Sequence, residues 1–383
     1  MSTVSAPRSV CVVAGEASGD LLASGVVHAL QQRDSSLTIF GMAGPAMRAA
    51  GVEPVARSEE LSVMGLIEVL KQLPRLLRLL KRLRVALRER RPDLVILVDV
   101  PDFNLKLAKT ATQLGIPVLY YVSPQVWAWR KKRVYKIARV VSHMAVLFPF
   151  EVEVYQNAHV PVTHVGHPLA RTLYRQHVPA VARAELGLEP ARKTIGLFPG
   201  SRRSEVERLL PVMLQTARQL ARNESVQFVL SQAQSLEDDL YTEALAVGLP
   251  LQIVRGESAR VAEACDAVIA ASGTLTLELA LLEVPMVIVY RAAPLTWAIF
   301  SRLVKIPYVS LVNILLEQGA VPELLQDRAN PDAILAALRP LLQAEGAAMQ
   351  QRELARIRGL LGAGDASVKV AALAEQLMQS TAT

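Results

Sequence analysis

Apolar residues along this chain fall into two alternating patterns. Short unbroken runs occur at Val10–Ala14, Thr38–Met42, Leu94–Val98, Val118–Val122, Met144–Phe148 and Val162–Val165 in the first half. The second half has them at Thr194–Phe198, Gln227–Leu230, Leu251–Val254, Ala267–Ala270 and Met286–Val289. Many are rich in Val and Ile with little polar alternation, the pattern of parallel strands buried on both faces. Helical spacing separates most of them, at Leu21–Gln32, Leu66–Arg91, Leu105–Leu114, Arg203–Arg222, Leu236–Val247 and Leu275–Leu282. Strand–helix repetition of this kind predicts an α/β fold of two Rossmann-like, doubly wound domains.

The stretch from Pro168 to Arg192 holds Pro168, Pro179, Gly187 and Pro190 before a fresh strand starts at Thr194. It marks a boundary between a first domain over residues 1–170 and a second over 190–350. Beyond Pro322 the chain is mostly helical. The tail from about residue 355 to 383, with a last helix at roughly Ala366–Gln379, is a candidate to pack back on the first domain.

Open α/β sheets take ligands at the carboxyl ends of their strands, and two such domains leave a cleft there. After the first strand comes Gly15-Glu16-Ala17-Ser18-Gly19-Asp20. Small residues allow close backbone approach to a ligand at the following helix start. The alternative is a tight turn in which Ser18 or Asp20 caps that helix. Glu16, a carboxylate at a strand end, favours a site. After Leu94–Val98 comes Asp99-Val100-Pro101-Asp102-Phe103-Asn104. Asp102 or Asn104 could cap the helix at Leu105. Asp99, directly at the strand end, is the better general base, since partial burial raises a carboxylate pKa toward neutrality. Trp127 and Trp129 follow the next strand and either join the core or stack on sugar rings or an acyl chain.

The second half opens with the sharpest local signal, Pro199-Gly200-Ser201-Arg202 between a strand and a helix. Open N–H groups, a hydroxyl and a guanidinium suit a diphosphate; a plain helix cap with a solvated arginine is the alternative. Ser272-Gly273-Thr274 repeats the small-polar pattern, with Glu278 one turn on, placed to hold ribose hydroxyls or simply to sit in a cap region. His167, near the hinge, is more often structural than catalytic. No Ser–His–Asp spacing and no metal-ligand spacing is present, so neither a metal nor a cofactor is expected.

Composition narrows the class. At about 150 residues per domain, 383 residues fit two. An apolar share of 51% with 20% charged residues excludes a disordered chain. Two cysteines, Cys11 and Cys265, cannot staple a disulfide scaffold and read as buried free thiols, fitting a reducing cytoplasm. The N-terminal stretch lacks the pattern of a signal peptide. The longest uncharged run, Thr110 to Trp129, contains Gly115, Pro117 and Pro124 and is no membrane span.

The net charge of +7 is concentrated. Lys71–Arg91 holds nine basic residues against one acid, Glu89, and Arg130–Arg139 holds six against none. The rest of the chain is therefore net acidic. Leu66, Leu70, Leu73, Leu77, Leu80, Leu83 and Leu87 form a helical stripe with basic flanks, and Pro74 is expected to break or kink that helix. The stripe either packs on its own sheet or lies on anionic lipid headgroups. Nucleic acid is the rival partner for such charge, but no nucleic-acid module is recognisable, so none is expected.

Taken together, the segments VAGEASGD (Val13–Asp20), AGP (Ala43–Pro45), VMGLIEVL (Val63–Leu70), PDFN (Pro101–Asn104), YYVSPQVWAWR (Tyr120–Arg130), PFE (Pro149–Glu151), VGHPL (Val165–Leu169), PGSR (Pro199–Arg202), ASGT (Ala271–Thr274) with Leu277-Glu278, and YVSLVN (Tyr308–Asn313) resemble the lipid-A-disaccharide synthase family of bacterial glycosyltransferases. Each is weak alone; their order and spacing across nearly the whole chain carry the resemblance. One departure is Phe198, where the family usually has an aliphatic residue.

The resemblance implies a GT-B fold, with an acceptor-binding first domain and a UDP-sugar-binding second domain. It implies transfer from UDP-2,3-diacylglucosamine to 2,3-diacylglucosamine 1-phosphate, with inversion, giving the β-1,6-linked disaccharide 1-phosphate and UDP. It places the protein peripherally on an anionic membrane, at the cytoplasmic face of the inner membrane of a Gram-negative bacterium, and allows a homodimer. It adds Asn313 to the site. In that reaction Asp99, or alternatively Glu16, is the base, and Gly200–Arg202 stabilises the leaving UDP. Rival readings are another GT-B enzyme such as a UDP-N-acetylglucosamine epimerase, a non-catalytic nucleotide-sugar sensor, and a nucleic-acid binder.

Overall fold

Strand β1 (Ser9–Ala14) lies at the centre of a parallel sheet, and the chain winds outward from it in both directions. The structure is a computed structural model and describes residues 8–61, 66–129, 131–293, 297, 307–362 and 364–380. Side chains at 66–73, 128–129 and 131 are outside the description, so the Leu66, Leu70 and Leu73 part of the leucine stripe, Val63–Gly65, Trp129 and Arg130 are not assigned contacts.

The chain divides into two units, one formed by Met1–Pro168 with Leu361–Thr383, the other by Leu169–Leu360. In the first, β2 (Thr38–Ala43), β3 (Glu53–Arg57), β4 (Leu94–Val98), β5 (Val118–Tyr121), β6 (His143–Val146) and β7 (Val162–His164) join β1 in the order β3-β2-β1-β4-β5-β6-β7. The strand order reverses between β1 and β4, where Ala14 pairs with Val98. That reversal opens a crevice beyond the strand ends. The valines, leucines and isoleucines of β1 and β4 alternate between two apolar cores, one on each face, which explains their unbroken apolar character.

Helix α1 (Ala17–Arg33) packs on one face beside the C-terminal helix Ala366–Ser380. Val370, Ala371 and Ala374 enter the same core as Val26 and Leu30. Gly25 permits this approach, since a Cβ there would lie 2.5 Å from Ser367 Oγ.

Neither Ser18 nor Asp20 caps α1, contrary to the sequence expectation. Glu16 takes the N-cap position, and Ser18 is exposed on the first turn. Asp20 is buried and reaches across to the start of the short helix α2 (Pro45–Ala49). There it accepts hydrogen bonds from the Gly44, Ala46 and Met47 N–H groups at 2.8, 2.8 and 3.2 Å. The aspartate caps a neighbouring helix instead of its own, because its side chain points into the β1–β2 crossover.

Helix α3 (Leu66–Arg90) runs unbroken through Pro74, correcting the expected break. Proline deletes one donor of the helical ladder, and the turns beyond it are fixed by the buried side chains of Leu79, Leu80, Leu83 and Leu87.

The second unit repeats the architecture. Strands β8 (Lys193–Phe198), β9 (Val226–Gln232), β10 (Leu251–Arg255), β11 (Ala267–Ala271), β12 (Met286–Tyr290) and β13 (Glu323–Leu325) lie in the order β10-β9-β8-β11-β12-β13. The reversal falls between β8 and β11, where Phe198 pairs with Ala270. The helix expected over Leu236–Val247 is instead a 3-10 turn at Asp238–Tyr241 followed by one helical turn at Thr242–Leu245. Asp238 is drawn off by Gln232 and Arg255, at 2.7 and 3.2 Å, and Gly248 turns back at positive φ. Cys11 and Cys265 are buried and free.

Candidate active site

At the first reversal, the residues after β1 and β4 meet. The Gly15 N–H donates to Asp99 Oδ1 at 3.2 Å and the Glu16 N–H to Oδ2 at 3.4 Å. A Cβ on Gly19 would lie 1.7 Å from Asp99 Oδ2. The small residues of the Gly15–Asp20 segment therefore cradle a carboxylate of the same chain. Burial, with the nearby Glu16 charge adding to it, raises Asp99 to about 7 against the pull of the two amides. A carboxylate poised there exchanges protons near neutral pH, as a general base must.

The backbone around it is strained. Asp99, Val100 and Val122 have φ of 55°, 33° and 69°. Non-glycine residues, and β-branched ones above all, rarely hold such angles, at a cost of about 1–3 kcal/mol each. The strain is held by a buried amide and a phenol. Asn104, fully buried in α4 (Pro101–Gln113), donates from Nδ2 to the carbonyls of Val98 and Asp99, both at 2.9 Å. The Tyr120 hydroxyl donates to the Asp99 carbonyl at 2.5 Å. Asn104 thus positions Asp99 rather than capping α4, whose N-cap is Val100.

All three strained residues line a pocket of about 390 Å³, together with Glu16, Ser123 and Arg133. Asp102 is on its rim, its side chain 79% exposed, and bonds Arg133 Nη2 at 2.6 Å. Trp127, in α5 (Val126–Trp129), does not line this pocket. It packs edge-on to Phe150 of α6 (Phe150–Gln156), ring centroids 5.0 Å apart. Glu151 is buried and pushed to about 7 by desolvation, against the pull of the Phe148 N–H, which donates to its Oε2 at 3.2 Å. His167 is likewise held down to about 4 by burial.

At the second reversal, the loop Gly200–Arg202 leads into α7 (Arg203–Ala221) with Gly200 at φ 111°. Its amides are not open, as the sequence suggested. Glu205 Oε2 accepts from the Ser201 and Arg202 N–H groups at 3.1 and 3.3 Å, and Oε1 accepts from Arg202 Nη1 at 2.8 Å. A carboxylate of the chain thus sits where an anion would bind. The Arg202 side chain is 79% exposed. Across the reversal, Gly273 and Thr274 are exposed and Ser272 half-buried at the start of α8 (Leu275–Leu281). Glu278 is raised by burial and faces the Ser258 hydroxyl at 3.5 Å.

Asn313, in α9 (Leu311–Leu316), is buried and fully engaged. It donates to the Val321 carbonyl and Glu323, both at 2.8 Å, and accepts from the Val321 N–H at 2.9 Å. It fixes the loop before β13 and has no amide donor left for a ligand. Among the described residues no cluster of metal-ligating side chains occurs. Tyr120, Val122, Arg133, Glu151 and Glu205 were not among the candidate site residues, although Tyr120, Val122 and Glu151 lie in segments that carry the family resemblance and Arg133 in the basic run Arg130–Arg139. Glu205 carried a local signal too, as an acid three residues into a helix start.

The family model for lipid-A-disaccharide synthetase matches residues 10–375. The chain belongs to the lipid-A-disaccharide synthetase family. A lipid-A-disaccharide synthase from Geobacter metallireducens is 45% identical over 374 residues, covering 97% of each chain. Among solved structures, a putative UDP-N-acetylglucosamine 2-epimerase from Listeria monocytogenes matches with TM-score 0.67 at 13% identity, over 98% of each chain. MurG from Acinetobacter baumannii matches with TM-score 0.56 at 17% identity, over 97% of this chain and 100% of its own. These likenesses establish the GT-B fold, two doubly wound domains in one chain, and that alone; an epimerase and a glycosyltransferase share it. The family match separates them.

Proposed function

We propose that this family member is the glycosyltransferase that joins UDP-2,3-diacylglucosamine to 2,3-diacylglucosamine 1-phosphate. Asp99 in its strained strand-end pocket is the observation that carries the reading. Its carboxylate takes the proton of the acceptor 6-hydroxyl. The oxygen then forms a bond to the anomeric carbon of the donor as the bond to the UDP oxygen breaks. A single displacement inverts that carbon and gives the β-1,6 linkage. Glu16 keeps the Asp99 proton affinity high through its charge. UDP departs as an anion, stabilised by the Arg202 guanidinium and by the Ser201 and Arg202 amides once it displaces the Glu205 carboxylate from them. Ser272, Gly273, Thr274 and Glu278 hold the phosphate and ribose. The first unit thus takes the acceptor and the second the nucleotide.

We further propose that α3 rests on an anionic membrane surface, at the cytoplasmic face of the inner membrane of a Gram-negative cell. Its apolar stripe turns inward at Leu79, Leu80, Leu83 and Leu87, while Leu77 is 53% exposed among exposed Arg78, Lys81 and Arg88. Basic residues around an exposed leucine suit the headgroup region. No helix among the described residues is long and apolar enough to cross a membrane.

Release of UDP with acylated and with unacylated acceptor sugars tests the reading. Dependence on the acyl chains supports it. Equal release with free glucosamine 1-phosphate favours a non-lipid glycosyltransferase.

A further inference from the structure

Arg133 is the cation in the lining of the Asp99 pocket, and the proposed reaction leaves it without a task. It ends the 3-10 turn Lys131–Arg133, and its side chain is only 15% exposed. A fully buried guanidinium normally has its donors filled within the protein; no Arg133 nitrogen is both fully buried and unpartnered, so the donors not spent on Asp102 are reachable by a ligand. Arg183, 8% exposed, shows the ordinary case: Nε, Nη1 and Nη2 bond the Ala264 carbonyl, the Pro190 carbonyl and Asp266. The exposed pairs Arg48–Glu59 and Arg90–Glu53 are each two-pronged. Arg133 makes a single-pronged bond, Nη2 to Asp102 Oδ1, and that partner stands 79% in solvent.

A mostly buried arginine, held at one corner by a solvent-exposed carboxylate and lining a pocket, is arranged to exchange that carboxylate for another anion. Asp99 and Arg133 line the same pocket of about 390 Å³. That pocket offers a base to a hydroxyl and a cation to an anion of one bound sugar.

We propose that Arg133 recognises the phosphate monoester of the acceptor sugar and that Asp102 yields the guanidinium to it. This rests on Asp99 being the base of the acceptor hydroxyl. It makes the pocket selective for a sugar 1-phosphate over the same sugar with a free anomeric hydroxyl.

The test uses the full chain with UDP-2,3-diacylglucosamine as donor. The acceptors are 2,3-diacylglucosamine 1-phosphate and 2,3-diacylglucosamine. Arg133→Ala should raise KM for the phosphorylated acceptor by about 10- to 100-fold, the usual effect of losing a charge-assisted bond. KM for the unphosphorylated acceptor and Kd for UDP should stay within about twofold of wild type. Arg133→Lys should recover part of the loss. Asp102→Asn, at an exposed position that tolerates change, should lower KM for the phosphorylated acceptor alone. Equal losses with both acceptors, a weakened UDP Kd, or no response in either Arg133→Ala or Asp102→Asn overturns the inference. Wild-type protein that couples neither acceptor refutes the underlying reading; wild-type coupling with Arg133 variants indifferent to the phosphate refutes this inference alone.

Discussion

The Asp99 carboxylate occupies the space that a side chain on Gly19 would fill, with Oδ2 1.7 Å from where that Cβ would be. The first turn of α1 and the end of β4 are fitted to one another at this point. Gly19→Ala should push the carboxylate off the Gly15 and Glu16 amides and out of its strained corner. We expect kcat to fall by at least about 100-fold, with stability lowered by about 1–3 kcal/mol. Steady-state kinetics beside a urea melt checks both; normal turnover would show that Asp99 need not stand there.

The raised Asp99 gives a pH profile with a definite sign. The base acts when deprotonated, so kcat/KM for the acceptor should climb with pH and level off above about 7. Stability runs the other way. Below about 7 the folded state keeps a proton that the unfolded carboxyl gives up above its model value of 3.8, so stability declines as pH rises through that window. Asp99→Asn should abolish the kinetic rise and gain about 2 kcal/mol over wild type on going from about pH 5.5 to about pH 8.5. Urea melts at both pH values decide it; a parallel decline in the variant would place the ionisation elsewhere, with Glu151 the next candidate.

Glu205 competes with the diphosphate for the Ser201 and Arg202 amides. Glu205→Gln keeps a hydrogen-bonding group at the helix start while removing the charge, so UDP should bind about 3- to 10-fold tighter. Arg202→Ala should bind it about 10- to 100-fold weaker. Calorimetric titration with UDP measures both. Unchanged affinity in the two variants would remove this loop from the nucleotide site.

Leu77, Arg78 and Lys81 are exposed on α3 and carry no core packing. Replacing all three with Glu should leave the melting temperature unchanged. It should also cut sedimentation with phosphatidylglycerol vesicles by about tenfold or more, given about 1 kcal/mol for each basic residue near such a surface. Undiminished vesicle binding would assign the basic helix another purpose.

Much of this was legible in the residues. The Val- and Ile-rich runs gave β1, β4, β8 and β11, and the rule that ligands gather at strand ends led to Asp99, Glu16 and Gly200–Arg202. Two strands escaped, β3 and β13. Glu53–Arg57 has a single buried residue and Glu323–Leu325 is three residues long, so neither offers an apolar run. The roles of Asp20, Asn104 and Asn313 were hidden for a different reason. Each is a polar side chain that bonds backbone brought to it by the fold, with Glu323 as a further partner of Asn313, and no local spacing announces these contacts. Asp20 looked like a cap and is one, for a helix more than twenty residues away. Glu205 was legible as a capping acid, but its competition with a ligand appears only when both amides are seen pointing at one oxygen.

Central to all of this is the coupling of two acylated sugars with Asp99 as base. The direct measurement incubates wild-type and Asp99→Asn protein with UDP-2,3-diacylglucosamine and 2,3-diacylglucosamine 1-phosphate, and follows the products by mass spectrometry. Wild type is expected to yield the tetraacyl disaccharide 1-phosphate and UDP in equal amounts, and the folded Asp99→Asn variant at least about a hundredfold less. UDP without the disaccharide, no product at all, or an Asp99→Asn variant as fast as wild type would contradict it.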